Sequence, residues 1–180
     1  NEECSFSLAV IRKETEESHY LASLFRAMAP VIARFRRGIL IHSSGILHDG
    51  KVFMFIGQSE SGKSTVVRLS QPRVALSDEA VFVQELDGKL HCWGTPYGRE
   101  HPGSNVCEEL GCCLFLVQDT DTFVKKLSVM QALPKLVSNL WCIANISGIS
   151  SDILDMCVQI ASKIPCYELH FELNNRFWDV

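Results

Sequence analysis

One segment organises the chain: Gly57-Gln58-Ser59-Glu60-Ser61-Gly62-Lys63-Ser64-Thr65. It matches the phosphate-binding pattern G-x-x-x-x-G-K-[ST] without a gap. The two glycines allow the backbone to curl so that successive N–H groups point into one anion-sized hollow. Lys63 then carries a positive charge to the β- and γ-phosphates of a nucleotide, and the Ser64 hydroxyl is a ligand for Mg²⁺. The sequence therefore predicts that these nine residues bind a nucleotide.

The flanks of this loop have the secondary structure that phosphate binding requires. The apolar run 52–56 is typical of a strand, and 66–69 continues as a short helix. A helix that begins near Lys63 directs the positive end of its dipole at the phosphates. The alternative is a chance loop between a strand and a helix. The order strand, glycine turn, helix favours the phosphate loop.

Size and composition bound the class of protein. A chain of 180 residues predicts a single domain over residues 1–180, large enough for a hydrophobic core. The net charge of −4 gives no electrostatic reason to expect nucleic acid or an anionic membrane as a partner. No apolar run approaches the ~20 residues that span a bilayer. The first residues lack the basic start and apolar stretch of a secretory signal. The chain starts without Met and ends abruptly at Val180, so we also expect a trimmed polypeptide.

The eight cysteines form no C-x-x-C pair, and several of them lie in apolar runs. This pattern predicts buried free thiols rather than disulfides or a metal site. A chain with this many unpaired thiols belongs in a reducing compartment, so we expect a cytoplasmic protein.

Hydrophobic periodicity and turn residues predict an α/β fold. The predicted strands are 4–10, 39–47, 52–56, 74–76, 80–85, 90–93, 111–118 and 166–173. The predicted helices are 14–37, with a kink or a new segment at Pro30, then a short helix after 63, then 128–141 and 151–164. Asp49-Gly50 and Asp87-Gly88 are hairpin signals. Because the first hairpin leads into the loop strand, we expect a mixed, largely antiparallel sheet flanked by helices.

An acidic pair, Asp78-Glu79, follows the short apolar strand after the loop helix. A phosphate loop needs a carboxylate from a neighbouring strand to complete the ligands of Mg²⁺. Adjacent carboxylates on a strand point to opposite faces, so we expect one of the two to reach the metal or the nucleophile. The alternative is a plain acidic turn before the second hairpin.

Two further residues are candidates for the site. His42 lies on the strand predicted to pair with the loop strand, although a lone strand histidine is more often a hydrogen-bonded structural residue. Arg99 lies in the turn-rich segment 94–103, and loops of this length often carry function. It either stabilises charge on a transferring phosphoryl group or is a solvated surface residue, and spacing does not decide between them.

The order of these motifs resembles the HPr serine kinase/phosphorylase and phosphoenolpyruvate carboxykinase superfamily: a histidine strand, a hairpin, the phosphate loop and then an acidic pair. The stretches 94–97 and 164–169 are similar to short bacterial proteins described as HPr-kinase-like. The resemblance implies a P-loop domain of that type, which binds ATP or a related nucleotide with Mg²⁺. It implies that His42 and an aspartate of the acidic pair are metal ligands or lie beside the transferred phosphate. Together with the candidates from the motifs, the predicted metal ligands are Ser64, Asp78, Glu79 and His42. The predicted catalytic set is Asp78, Glu79, His42, Lys63 and Arg99.

The resemblance implies an ATP-dependent phosphotransferase that acts on a hydroxyl, such as a serine, of an unknown protein or peptide. One carboxylate of the pair, or His42, then accepts the hydroxyl proton. Some features depart from the family. The usual Asp-Asp pair is Asp78-Glu79, the loop ends Gly-Lys-Ser-Thr rather than Gly-Lys-Ser-Glu, and no segment clearly matches the stretch that grips HPr. These departures favour an alternative, a nucleotide-binding accessory or regulatory protein that transfers nothing. The residues leave both a monomer and a homo-oligomer open.

Overall fold

In the part of the chain that the structure describes, a nine-stranded mixed sheet with helices on its faces makes up the fold. The structure, a computed structural model, describes residues 17–98, 100–101, 103–141, 151–172 and 174–180. The strands are β1 (Gly38–Ile41), β2 (Ser43–His48), β3 (Lys51–Ile56), β4 (Ala75–Ser77), β5 (Val81–Leu86), β6 (Lys89–Trp93), β7 (Cys107–Gln118), β8 (Phe123–Lys126) and β9 (Cys166–Phe171). The helices are α1 (Glu17–Phe35), α2 (Lys63–Leu69), α3 (Val129–Ser138), α4 (Ser151–Lys163) and a 3₁₀ helix (Asn175–Trp178).

The strand order is β1-β5-β6-β7-β3-β2-β4, and β9 adds to the second half of β7 and carries β8. In the described part of the chain, β3·β7 and β7·β9 are parallel and the other named pairs are antiparallel. The prediction of a mixed, largely antiparallel sheet flanked by helices is therefore confirmed. The loop strand β3 lies between its hairpin partner β2 and a parallel neighbour, β7.

Two short connections force this sheet to curl. Five strand spacings separate β1 from β2 along the sheet, which is about 24 Å if the sheet is flat. Ile41 and Ser43 end and begin these strands, and two residue steps reach at most about 7 Å. The connection from β4 to β5, residues 78–80, makes a similar jump. The two ends of the sheet must therefore approach each other. The two connections run between these ends at one place, which we call the seam.

The loop strand β3 is buried on both faces of the sheet. Val52, Met54 and Ile56 point into a core that α3 and α4 cover. Phe53 and Phe55 point to the opposite face, where α2 and the 3₁₀ helix pack. This explains why the strand reads as a continuous apolar run rather than as an alternating one. Burial on both faces fixes the position from which the phosphate loop starts.

The largest correction concerns the predicted strand 39–47, which is two strands separated at His42. β1 pairs with β5, whereas β2 pairs with β3 and β4. Residues on both sides of the break are buried, including the polar Ser43 and Ser44, so burial does not mark it. Only the change of pairing partners, a long-range property, marks it.

The predicted helix 14–37 also differs from the structure. Its first residues lie outside the described part, and α1 runs through Pro30 and ends at Phe35. Two small residues of α1, Ala29 and Ala33, pack in one cluster with Leu40 of β1. This tertiary packing outweighs the destabilising effect of a proline inside a helix. Gly38 begins β1, where a Cβ would lie 2.6 Å from the carbonyl oxygen of Val83, so the close approach of β5 requires a glycine.

Other boundaries shift by a few residues. Helix α3 ends at Ser138, β7 begins four residues before the predicted strand 111–118, and β9 ends at Phe171. β8 and the 3₁₀ helix were not predicted, and all four residues of β8 are exposed, so no alternation marks that strand. The predicted strand 4–10 lies outside the described residues.

The cysteines in the described ranges are free thiols, as predicted. They are buried except for Cys107, and Cys4 and Cys142 lie outside those ranges. Burial raises the pKa of Cys112 and of Cys157 to about 12. No helix within the described ranges combines the length and the apolar character needed to cross a membrane.

Truncating Phe55 tests the claim that β3 is fixed from both faces. Phe55 is fully buried, so Phe55→Ala is expected to lower the free energy of unfolding by about 3–5 kcal/mol. The matched control is Phe123→Ala on β8, where the side chain is 41% exposed and stacks on His170. The control is expected to lose no more than about 1.5 kcal/mol. Chemical denaturation measures both values, and equal losses would contradict this description of the core.

Candidate functional site

The phosphate loop, residues 57–62, connects the end of β3 to the start of α2. Two of its residues have a left-handed backbone, Glu60 with φ 67° and Gly62 with φ 104°. At the other end, a Cβ on Gly57 would lie 2.7 Å from the Cβ of Ser61, which is closer than side-chain carbons approach. Both glycines of the motif are therefore required by the turn itself. The sequence folds here into the tight loop that the motif predicts.

Lys63 lies against the backbone of this loop. Its side chain is buried, and Nζ donates hydrogen bonds to the carbonyl oxygens of Gly57 at 2.7 Å and of Gln58 at 2.8 Å. The ammonium group is thus held across the loop, at the wall of the cavity that the loop encloses. A buried cation on a loop whose N–H groups can face an anion is suited to phosphate.

Two side-chain hydrogen bonds fasten the loop to the rest of the fold. Gln118, the last residue of β7, donates from Nε2 to the carbonyl oxygen of Glu60 at 2.9 Å. Gln58 reaches in the other direction, and its Nε2 donates to the carbonyl oxygen of Ser138 at the end of α3 at 3.3 Å. The loop is therefore tied to a strand on one side and to a helix on the other.

Asp78 is hydrogen-bonded to Ser64 at the start of α2, directly after the loop. The Ser64 hydroxyl donates to Oδ2 of Asp78 at 3.3 Å, and the backbone N–H of Glu100 donates to the same oxygen at 3.0 Å. The Asp78 side chain is only 1% exposed. Glu79 is also buried, and its backbone N–H donates to the hydroxyl of Ser77 at 3.2 Å.

The acidic pair lies beyond the end of β4 rather than on a strand, since β4 ends at Ser77. The expectation that adjacent strand residues point to opposite faces therefore does not apply. Both Asp78 and Glu79 line the cavity next to the loop. The two carboxylates are both placed at the site, where the sequence pattern had predicted one.

His42 also lines this cavity. It belongs to the other short connection at the seam, the one between β1 and β2. It lies in the bend between β1 and β2, and its backbone N–H donates to the carbonyl oxygen of Asn139 at 2.7 Å. Its ring lies beside that of Trp141, with the ring centroids 5.6 Å apart. The prediction that His42 is a strand residue is wrong, because the chain changes its pairing partners at this position.

These groups enclose a cavity of about 300 Å³. It is lined by His42, Ser59, Glu60, Gly62, Lys63, Ser64, Thr65, Asp78, Glu79 and Gln118. Two larger cavities, of about 590 and 460 Å³, lie away from the loop and contain none of its residues. The chemistry of the lining, rather than the volume, makes the smaller cavity the candidate site, because it combines the loop with buried charged groups.

Most of the sequence-predicted site residues come together around the cavity. They are His42, Ser59, Glu60, Gly62, Lys63, Ser64, Thr65, Asp78 and Glu79. The side chain of Gln58 turns toward α3, and the Ser61 hydroxyl is buried within the loop with no hydrogen-bond partner among the described residues. Arg99 lies outside the described residues.

Residues that the sequence analysis did not identify also build the site. Gln118 and Asn139 fasten the loop and His42 through contacts made across the fold. One feature of the sequence could have predicted the place of Gln118, which is a polar residue at the end of a buried strand. If that strand is parallel to the loop strand, its end lies at the same edge of the sheet as the loop. The contribution of Glu100 is a backbone N–H, for which the sequence carries no signal.

The oxygen groups at the site are of the kind that Mg²⁺ prefers. The Ser64 hydroxyl and an Asp78 carboxylate oxygen lie 3.3 Å apart, and both are hard ligands. The described residues contain no group of three or more His, Cys, Asp or Glu side chains arranged to hold a metal. Mg²⁺ usually binds to one or two protein groups and takes its other ligands from water and substrate phosphates. The residues present therefore fit Mg²⁺ bound together with a nucleotide, while His42 as a ligand stays a prediction.

A scan against known protein families finds no match, and a search of curated protein sequences finds none either. Among solved structures, the chain is similar to the Hpr(Ser) kinase/phosphatase from Coxiella burnetii. The TM-score is 0.43 and the sequence identity 11%, over 77% of this chain and 89% of that chain. At this level the similarity establishes neither family membership nor function.

The Gln118 side chain holds the loop to β7, so removing it is expected to make the loop more mobile. In Gln118→Ala, amide hydrogen exchange in residues 58–62 should become faster, because one hydrogen bond to Glu60 is lost. The free energy of unfolding should fall by only about 1 kcal/mol. The control is Gln84→Ala, which removes a similar side-chain bond to the carbonyl oxygen of Arg36. Exchange measured by mass spectrometry that is equally fast in wild type and Gln118→Ala would show that this bond does not hold the loop.

Proposed function

We propose that the chain binds a nucleoside triphosphate with Mg²⁺ at residues 57–65 and transfers a phosphoryl group to a hydroxyl of a protein or peptide. The observation that carries the proposal is the arrangement around one cavity. The Lys63 ammonium is held on the glycine loop, and the Ser64 hydroxyl is hydrogen-bonded to the buried Asp78 carboxylate. Phosphoryl transfer depends mainly on positioning and on charge stabilisation, and these groups supply both.

The phosphates would be held by Lys63 and by the backbone N–H groups of the loop. Ser64 and Asp78 would hold the metal, with Glu79 and His42 as further candidate ligands. Mg²⁺ supplies neutralisation of the charge that develops on the phosphate oxygens. Buried placement strengthens each of these interactions, because the local dielectric constant is lower than that of water.

Glu79 and His42 are the candidates for the general base, because both line the cavity beside the phosphate loop. In the step, the acceptor oxygen forms a bond to the γ-phosphorus and the bond from that phosphorus to the bridging oxygen breaks. The acceptor proton passes to the carboxylate of Glu79 or to a ring nitrogen of His42. The nucleoside diphosphate leaves with the electron pair of the broken bond.

The second candidate function is a nucleotide-binding accessory or regulatory protein that transfers nothing. The observation that favours it is the acidic pair, where Glu79 stands at the position of the second aspartate in the kinases that the motif order resembles. The glutamate side chain is one methylene group longer than aspartate, so its carboxylate lies farther from the backbone. Both candidates require nucleotide binding at the loop, so binding is the first property to establish.

Thermal melting with and without Mg·ATP tests binding, with Lys63→Ala as the variant. A ligand at 100 times its dissociation constant stabilises the folded protein by about 2.7 kcal/mol, which raises Tm by roughly 5–10 °C for a domain of this size. Wild type is expected to show this shift and Lys63→Ala to lose it, because the buried ammonium is removed.

The matched control is Lys126→Ala, which removes an exposed lysine on β8 far from the loop in the sheet order. It is expected to keep the full shift. The absence of any shift in wild type with ATP, GTP or their magnesium complexes would overturn the proposal.

A further inference from the structure

The connection from β6 to β7 folds back over the acidic pair. We call residues 94–104 the glycine segment, of which 99 and 102 lie outside the described residues. It contains three glycines, Gly94, Gly98 and Gly103. The proposed function does not use this segment, yet its described residues contact the backbone on both sides of Asp78.

The two ends of the glycine segment are hydrogen-bonded to the chain on either side of the acidic pair. The backbone N–H of Ser104 donates to the carbonyl oxygen of Leu76 at 3.1 Å, and the Ser104 hydroxyl donates to that of Ala75 at 2.9 Å. On the other side, the Thr95 hydroxyl donates to the carbonyl oxygen of Ala80 at 2.6 Å. The segment is thus fastened to β4, which precedes the acidic pair, and to Ala80, which directly follows it.

The glycines make this close approach possible. A Cβ on Gly94 would lie 2.6 Å from the carbonyl oxygen of Leu76, and a Cβ on Gly103 would lie 2.8 Å from the same atom. Side chains at either position would push the segment away from β4. The base of the segment therefore has backbone packed directly on backbone.

The middle of the segment contacts the Asp78 carboxylate itself. The backbone N–H of Glu100 donates to Oδ2 at 3.0 Å. A Cβ on Gly98 would overlap the carbonyl oxygen of His101 and would lie 2.8 Å from Oδ1 of Asp78. Both carboxylate oxygens thus face the segment, while Ser64 approaches Oδ2 from the phosphate loop.

We propose that the glycine segment positions the Asp78 carboxylate for Mg²⁺, with Gly98 and the backbone N–H of Glu100 as the positioning residues. A carboxylate can rotate about its side-chain bonds, and a fixed donor on one oxygen selects one orientation. This orientation keeps Oδ2 beside the Ser64 hydroxyl, where the two oxygens together can hold the metal. The inference rests on the proposed nucleotide site and adds the element that makes binding depend on Mg²⁺.

The experiment measures, by titration calorimetry, the affinity for a non-hydrolysable ATP analogue with and without MgCl₂. In wild type, Mg²⁺ is expected to increase the affinity. In Gly98→Ala this increase should fall by about 10–100-fold, the usual cost of removing a group that orients a metal ligand. The affinity for the metal-free analogue should stay unchanged, because Lys63 and the phosphate loop are untouched. A role in packing alone would lower both affinities together and would overturn the inference.

A second pair of variants keeps the test informative if Gly98→Ala does not fold. Glu100→Pro removes the N–H that Asp78 accepts, whereas Glu100→Ala keeps it. The first should lose the Mg²⁺ effect and the second should keep it. Gly111→Ala is the control for crowding elsewhere, since its Cβ would lie 2.9 Å from the Cβ of Lys51 in the sheet. It should keep the Mg²⁺ effect.

The outcomes separate the two proposals. If wild type binds the analogue and folded Gly98→Ala and Glu100→Pro keep the full Mg²⁺ effect, the positioning role is wrong and the nucleotide site stands. If wild type binds no analogue with or without MgCl₂, the nucleotide site itself is wrong and the positioning role is overturned with it.

Discussion

The candidate site depends on one constraint, which is that the sheet closes on itself through two very short connections. A single residue, His42, joins β1 to β2, and residues 78–80 join β4 to β5. Neither connection is long enough to span a flat sheet, so the sheet must curl until its two ends meet at the seam. The phosphate loop leaves the end of β3, the neighbour of β2, and therefore opens at the same place. The curl brings together residues that are distant in the sequence, from 14 positions for Ser64 and Asp78 to 37 for His42 and Glu79.

The groups collected at the seam are costly to bury. Lys63, Asp78 and Glu79 are each less than a tenth exposed, and buried charges lower stability unless hydrogen bonds and opposite charges offset the cost. Hydrogen bonds from Ser64 and Glu100 to Asp78, and from Lys63 to the loop carbonyls, offset part of it. An apolar seam would close the sheet without this cost. The charges are understandable if the site binds a charged ligand with a metal, since buried fixed groups are then already oriented.

Local signals in the sequence predicted a large part of this fold. Asp49-Gly50 and Asp87-Gly88 have the positive φ values that two-residue hairpins need, and both hairpins form as expected. The phosphate loop and its helix follow from residues that are neighbours in the chain. The break at His42 was not predicted, because it reflects pairing between distant strands. The contact from Glu100 to Asp78 was not predicted either, because a backbone N–H is independent of residue type.

A crystal structure with Mg²⁺ and a non-hydrolysable ATP analogue tests the central claim most directly. The account predicts phosphates against the backbone N–H groups of residues 57–65 and Mg²⁺ between the Ser64 hydroxyl and the Asp78 carboxylate. It also predicts that the two larger cavities elsewhere in the fold hold no triphosphate. A nucleotide bound in either of those cavities, or a metal that contacts neither Ser64 nor Asp78, would contradict it.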